Sequence, residues 1–429
     1  DGGLIGNEWQ KNYYYDNFGR GVASLTNVES ALNCTSMVAF NTRSNDLRYT
    51  DTRLNDPLTS RCVIQQTNYD EFGRPLLSFD DYRRNTAGEY TEARGILTTY
   101  QNGQVLKRQE AREGVNFGRV YYQVNALNDR GQVIGYNKGQ ELMTVSYDDA
   151  GHVSGISTGT DYIQADSYSF DGMGNLTSRH LSASQQQTFA YDNLNRVTTV
   201  DGQDVYSYAD NGNLELKDGW EQRYNETANS PIHGITSRSK GTMTETFGYD
   251  ENGNQTWAKK NGTNWREVTY SGRNKATEIS INGKSAYFNY DANNHRYKRV
   301  DTEQTIYYIG ALELTVNHTL NNAQYIKRYI GNDAMQTYYA NGNASIKWLF
   351  TDHQGSITAI TDDSFKLLKR FAYDVFGQQS EIAPTALEAE LYYALPSRLS
   401  AFNAIASNTR GYTGHEQVML DGDNRVIHM

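Results

Sequence analysis

The sequence predicts an all-β protein built as a repetitive antiparallel sheet, on three observations. An aromatic residue, then Asp, any two residues, then Gly or Asn recurs at Tyr15-Asp16 with Gly19, Tyr69-Asp70 with Gly73, Tyr147-Asp148 with Gly151 and Phe170-Asp171 with Gly174. It recurs again at Tyr191-Asp192 with Asn195, Tyr249-Asp250 with Gly253, Tyr290-Asp291 with Asn294 and Tyr373-Asp374 with Gly377. From Tyr147 to Tyr290 the spacing is about twenty residues once one doubled step is halved, a period that marks repeat architectures. Finally, the chain holds 33 Tyr and 14 Phe but only 5 Pro. Aromatic content opposes disorder, and scarce proline leaves long strand ladders their donors.

The unit is clearest at residues 188 to 200, a hairpin in miniature. Thr188 to Tyr191 and Arg196 to Val200 are aromatic and β-branched, with turn chemistry between them. The Asp192 carboxylate is placed to accept from backbone N–H groups two or three residues on, and Asn195 tolerates the positive φ needed to re-enter an antiparallel strand. Worn copies stand at Asn128 with Gly131, Ser271 with Asn274, Asp352 with Gly355, Asp421 with Asn424, and Tyr208-Ala209 with Gly212, where Ala replaces Asp. Each hairpin buries its apolar face only against neighbours, so one continuous body is expected rather than several domains.

In chain order, residues 1 to 66 hold the first copy and then a less regular segment, read as a cap or plug. Copies are degraded from 67 to 145, regular to 310, and strand-like beyond, where the Tyr-Asp anchor fades. Strand content above 45% is expected. A minor helix is expected near 385–395: Thr385 and Glu388 form a capping box after Pro384, Leu387, Leu391 and Leu395 give one face, and Pro396 stops it.

The formal net charge of −10 argues against nucleic-acid binding by the body, which needs surplus Lys and Arg. Cys34 and Cys62 either pair across an early loop or stay reduced. No run of eighteen apolar residues is present. The start at Asp1-Gly2-Gly3-Leu4 reads as processed. Asp250-Glu251-Asn252-Gly253-Asn254 imitates a calcium loop, but its Gly falls too early and Asn261 stands where a bidentate Glu belongs, so a turn is expected and no metal. Gly283-Lys284-Ser285 ends like a phosphate-binding loop, yet Glu278 replaces its first Gly, and a hairpin turn at Asn282-Gly283 accounts for it. No catalytic residue and no cofactor are assigned. His353 and His415 stand beside Asp352 and Glu416, and a structural hydrogen-bonding role is favoured over one in cleavage. The tyrosine rows read as a cross-strand ladder or a carbohydrate platform, and strict alternation favours the ladder.

The repeated Tyr-Asp turns resemble the YD repeats of the Rhs family. Thr351-Asp352-His353-Gln354-Gly355-Ser356-Ile357 resembles the Asp-His-x-Gly-Ser segment that precedes the family's core. Arg410-Gly411-Tyr412-Thr413-Gly414-His415-Glu416, with Ile427-His428-Met429 after it, resembles the opening of the Rhs-associated core domain. The resemblance implies a YD-repeat sheet wound into a hollow, cocoon-like shell over 67–384, with 385–429 starting a truncated core. In related bacterial toxins, including the C components of Tc toxin complexes, such a shell holds a C-terminal toxic domain as cargo. Teneurins share the repeat on cell surfaces.

The resemblance also implies delivery from a bacterial cell by a contractile injection or toxin-complex system. Its implied partners are a secretion-system spike, a Tc-type B component or an immunity protein. The family's aspartyl self-cleavage residues would follow Met429, so none is carried over; Arg410, Gly411, Tyr412, Gly414, His415 and Glu416 match only the core's first half. A strand starting at Val426 opposite Gln417 to Met419, across the turn at Asp421 to Arg425, leads to the expectation that the natural product continues further. The alternative reading is a cell-surface carbohydrate-binding module.

Overall fold

Among the described residues, the Asp-x-x-Gly units fold as type I turns closed by a residue in the left-handed region, the geometry that joins antiparallel strands through a bulge. In the computed structural model, which describes residues 9–15, 21–28, 34–40, 47–55, 62–84, 90–112, 118–159, 162–182, 186–224, 230–290, 294–339, 343–394, 410, 412–414, 417–419 and 426–428, Asp192 is typical. Its N–H donates to the Arg196 carbonyl and its own carbonyl accepts from Asn195, both at 3.0 Å, with Asn195 at φ 58°. Oδ1 of Asp192 accepts from the N–H groups of Leu194 and Arg196. The acceptor spacing is therefore two and four residues, not two or three, because the αL residue swings the fourth N–H back toward the carboxylate. The same pair of bonds forms at Asp70, Asp171, Asp250 and Asp374.

Worn copies keep the geometry with poorer chemistry. Asn128 accepts through its amide oxygen and Ser271 through its hydroxyl at 3.3 Å, while Ala209 retains only the backbone bonds. Opposite edges of the ribbon turn differently. Asn282-Gly283, both with positive φ, forms the expected tight hairpin, and Asn102-Gly103, Asp201-Gly202, Asp218-Gly219 and Asn261-Gly262 do the same. Asp16, Gly19, Asp291 and Asp421 lie outside the described residues; Asn294 is in the left-handed region, as expected.

Successive strands pair antiparallel without crossover, giving a 17-stranded sheet from Trp9–Tyr15 to Gln203–Asp204 and an 18-stranded sheet from Tyr206–Tyr208 to Gln379–Glu381. The described strands account for more than half of the chain. Val205 joins the two sheets: its N–H donates to Thr198 and its carbonyl accepts from Asp218, so the meander runs on through this residue. Pairing also runs unbroken through residue 66, inside the strand Cys62–Tyr69. Cys34 and Cys62 fall on strands whose side chains lie outside the description.

Repeats are coupled by a tyrosine ladder built from hydroxyls rather than stacked rings. Tyr147, Tyr191, Tyr208, Tyr270, Tyr290 and Tyr373 donate to the carbonyls of Val133, Leu176, Val197, Gln255, Ala276 and Ile357, at 2.7 to 3.2 Å. Every one of these carbonyls stands five residues past the first residue of an earlier turn. A second ladder links turns, with the Asn175 and Asn254 amides donating to Asn195 and Asn274.

The ribbon then folds back on itself. Tyr121, Met143, Ile156, Ile163, Tyr168 and Leu181 of the first sheet pack against Ile330, Ala334, Ile346, Trp348, Phe350 and Leu367 of the second in one buried cluster. The ladder tyrosines share this inward face, since Met143 and Tyr147 sit two alternations apart on one strand. The helix forms at Ala386–Leu391 with the expected capping box, but it ends before 395. Its exit is taken up by the sheet: the Leu367 N–H donates to Tyr392, and Ala394 donates back to Leu367. Leu387 and Leu391 are exposed, so their spacing marks no core face.

Candidate functional site

The site lies where the fold-back seam meets the C-terminal motif. Along the seam, Arg119 pairs with Asp363 at 2.5 Å and Arg108 with Asp333 at 2.8 Å. The Lys138 ammonium donates to the Leu349 carbonyl and reaches Asp333 at 3.9 Å. Burial pushes this ammonium down to about 8, and Asp333 opposes that shift. Gly139 has φ 61°, and a Cβ there would stand 2.5 Å from the Trp348 ring, which stacks on Phe365. Phe365 itself occupies the left-handed region of an Asp362 turn, strained for an aromatic residue and held by that stacking.

Next along the seam is a buried polar cluster. The Gln164 amide donates to Asp166 at 2.7 Å and to the Thr351 carbonyl at 2.8 Å, while Ser182 and Tyr168 also donate to Asp166. Burial raises the Asp166 carboxyl against those donors. Asp352 accepts from Gln354 and Ser356 as Asp192 does from Leu194 and Arg196, but it is 5% exposed, and burial raises it too. In the open turns the donors prevail: the Arg196 guanidinium and N–H hold Asp192 below the usual carboxylate range. The Arg179 guanidinium donates to the Tyr373 carbonyl.

His353 does not take the hydrogen-bonding role expected of it. Its ring packs 4.3 Å from Tyr168 and 6.0 Å from Phe170, and Nδ1 is buried with no partner among the described residues. Burial, with Arg179 adding to it, pushes the imidazole down to about 4, so it is neutral at physiological pH and behaves as an aromatic plate.

The structure brings together the two C-terminal motifs read from the sequence. The Arg410 guanidinium sits 3.9 Å over the Tyr329 ring, and Thr413 donates its N–H to the Ser356 hydroxyl at 3.1 Å. Tyr412 packs on Tyr373 and on Gly377, whose φ of 83° and absent Cβ, which would fall 2.6 Å from the Tyr412 ring, are both required. Gly414 ends the short turn Tyr412–Gly414, and Gln417–Met419 pairs with Val426–His428 as expected. Gly411, His415 and Glu416 lie outside the described residues. The repeat-turn residues Tyr191, Asp192, Asn195, Asp250 and Gly253 are turn builders away from this seam: the Asp250 carboxylate is taken up by Asn252 and Asn254. Sequence reasoning missed Gln164, Asp166, Tyr168 and Arg179; an alternation placing Asp166 and Tyr168 on one strand face was the available signal. The arrangement is a latch, with its carboxylates engaged by donors and its imidazole neutral.

No family model matches the chain. It is 28% identical over 226 residues to the tRNA3(Ser)-specific nuclease WapA of Bacillus spizizenii, a match covering 52% of this chain and 8% of that protein. Among solved structures, TcdB2-TccC3 is similar at a TM-score of 0.63 and 13% identity, covering 96% of this chain and 24% of that one. The Photorhabdus luminescens Tc holotoxin pore carrying TccC3-D651A is similar at 0.57 and 14%, over 97% and 24%. These likenesses show a shared fold. The chain spans about a quarter of the solved chains and a smaller share of WapA.

Proposed function

We propose that this chain is wall of a toxin-enclosing β shell, part of a longer secreted or delivered bacterial product whose C-terminal toxic domain is the cargo. The observation that carries this reading is the fold-back: a continuous sheet with one inward face, latched to itself by Arg119–Asp363, Arg108–Asp333 and the buried cluster. A similar fold in toxin-complex structures supports it. In this reading Arg410, Tyr412 and Gly414 seat the start of a core domain on the seam, and self-cleavage by aspartates further along releases the cargo. Residues 1–66 close one end, and a toxin-complex B component, a secretion-system spike or an immunity protein is met outside the wall. A carbohydrate platform fits less well, because the ladder hydroxyls are already bonded to backbone carbonyls.

Limited proteolysis of the full-length product tests enclosure. The tethered C-terminal domain is expected to survive protease that digests the same domain when free. Equal digestion in both forms contradicts enclosure. Intact mass tests self-cleavage: an Asp→Asn change in the continuing core is expected to leave the product at full length, and unchanged cleavage in that variant removes the aspartyl step.

A further inference from the structure

A groove of about 690 Å³ opens on the inward face between two successive repeats, bounded by Tyr270, Tyr290 and Tyr308. Its charged lining is of one sign: Arg266, Lys275 and Arg296, with His295 beside them and no carboxylate among the lining residues. That is unusual in a chain of net charge −10.

The repeat explains how the imbalance arises. At the fourth position after the turn aspartate, Arg74 pairs with Asp70 at 2.7 Å, Arg196 with Asp192 at 2.6 Å and His152 with Asp148 at 3.0 Å. Lys275 holds that same position, but the turn residue is Ser271, whose hydroxyl serves only backbone N–H groups. Lys275 is exposed, with no ion-pair partner among the described residues.

Arg266 likewise has no ion-pair partner among the described residues, and its guanidinium lies 5.5 Å from the centre of the Trp265 ring. Its Nε is buried without a hydrogen-bond partner. Glu245 is the nearby carboxylate, and Arg238 already engages it through two nitrogens at 2.8 and 2.6 Å. Asp250, beside Tyr270, is occupied by the Asn252 and Asn254 donors. The Asn274 amide at the groove's rim adds polar reach, and the tyrosine rings supply apolar walls for a methylene stem.

We propose that this groove binds carboxylate side chains of an extended acidic polypeptide segment. The site stands on the charge pattern and cavity alone; that the ligand is polypeptide rests on the shell reading, in which polypeptide is what the inward face meets. Guanidinium and ammonium groups on a partly desolvated surface favour carboxylates through charge-assisted hydrogen bonds.

The test uses a fluorescein-labelled heptaglutamate peptide and the 429-residue chain at low salt, read by fluorescence anisotropy. Saturable binding is expected, weakened about tenfold by Arg266→Gln with Lys275→Gln together, and weakened by salt. Lys275→Gln alone, at an exposed position, is expected to weaken binding about threefold, and it keeps the test decisive if the double variant misfolds. Absence of binding, or binding equal in wild type and Lys275→Gln, overturns the proposal. So does a sulfated oligosaccharide that binds more tightly than the peptide through the same residues, since it would make the groove a glycan site. The shell reading fails separately, by protease sensitivity of the full-length product, an outcome this titration does not touch.

Discussion

Substituting Tyr373 by Phe isolates the ladder bond where it is most buried. The Tyr373 hydroxyl donates to the Ile357 carbonyl at 2.7 Å and accepts from the Gln379 amide at 2.9 Å, with Tyr373 at 2% exposure and Ile357 at 0%. Phe fills nearly the same volume, so packing is preserved and the loss is polar. Gln379 is half-buried and turns to solvent, but the Ile357 carbonyl loses its donor where water does not replace it, a cost of about 1–3 kcal/mol. Tyr208→Phe breaks the same bond at a half-exposed rung, 3.0 Å from the Val197 carbonyl. Water reaches that carbonyl, and the cost falls to about 0.5–1.5 kcal/mol. Global melting blurs such differences in repeat proteins, whose cooperativity breaks down. Native-state hydrogen exchange is the suitable assay, reading the opening free energy of Ile357–Thr361 and of Val197–Val200 in each variant. Losses of equal size at both rungs, or a larger one at Tyr208, would refute burial as what sets the ladder's strength.

Three further outcomes follow from the titrations and turns. Burial raises the phenols of Tyr147, Tyr191, Tyr208, Tyr270 and Tyr290 above their usual 10.0, so the folded state holds protons that the unfolded chain releases. Stability is therefore full below about pH 10 and falls as pH rises through the phenol range, as denaturation midpoints across alkaline pH will show. His353 is depressed from 6.5 to about 4, so its contribution is complete above 6.5 and is lost as pH falls toward 4; His353→Phe is expected to flatten acid sensitivity in that window, measured by the same midpoints. Asp352→Asn keeps both backbone bonds, as Asn128 does, and removes a buried charge, so it is expected to stay within about 1 kcal/mol of wild type, whereas Asp352→Ala costs about 1–3 kcal/mol in urea unfolding.

Local chemistry made the turns legible. An aspartate followed three residues later by Gly or Asn specifies both the acceptor and the positive φ, and Thr385 with Glu388 specified a helix start. The Asp362 turn escaped notice because Phe365 fills a position where Gly or Asn is expected, and only the Trp348 ring makes that tolerable. The seam was hidden for a different reason. Tyr162 and Phe365, or Gln164 and Thr351, meet across more than 180 residues, and each looks locally like any half-buried strand residue. The ladder was anticipated without its hydroxyl bonds, since sequence alternation gives the face of a tyrosine but not the partner of its hydroxyl. The end of the helix was misjudged because Tyr392 and Ala394 satisfy their backbone groups on a distant strand.

The central claim is that the inward face of this sheet encloses a polypeptide. A three-dimensional reconstruction of the full-length natural product by electron cryomicroscopy tests it most directly. The account predicts density for the C-terminal domain inside the wall, bounded by the ladder tyrosines and separated from solvent by the seam at Arg119–Asp363. An empty interior, with that domain on the outer face or tethered free in solution, would contradict it.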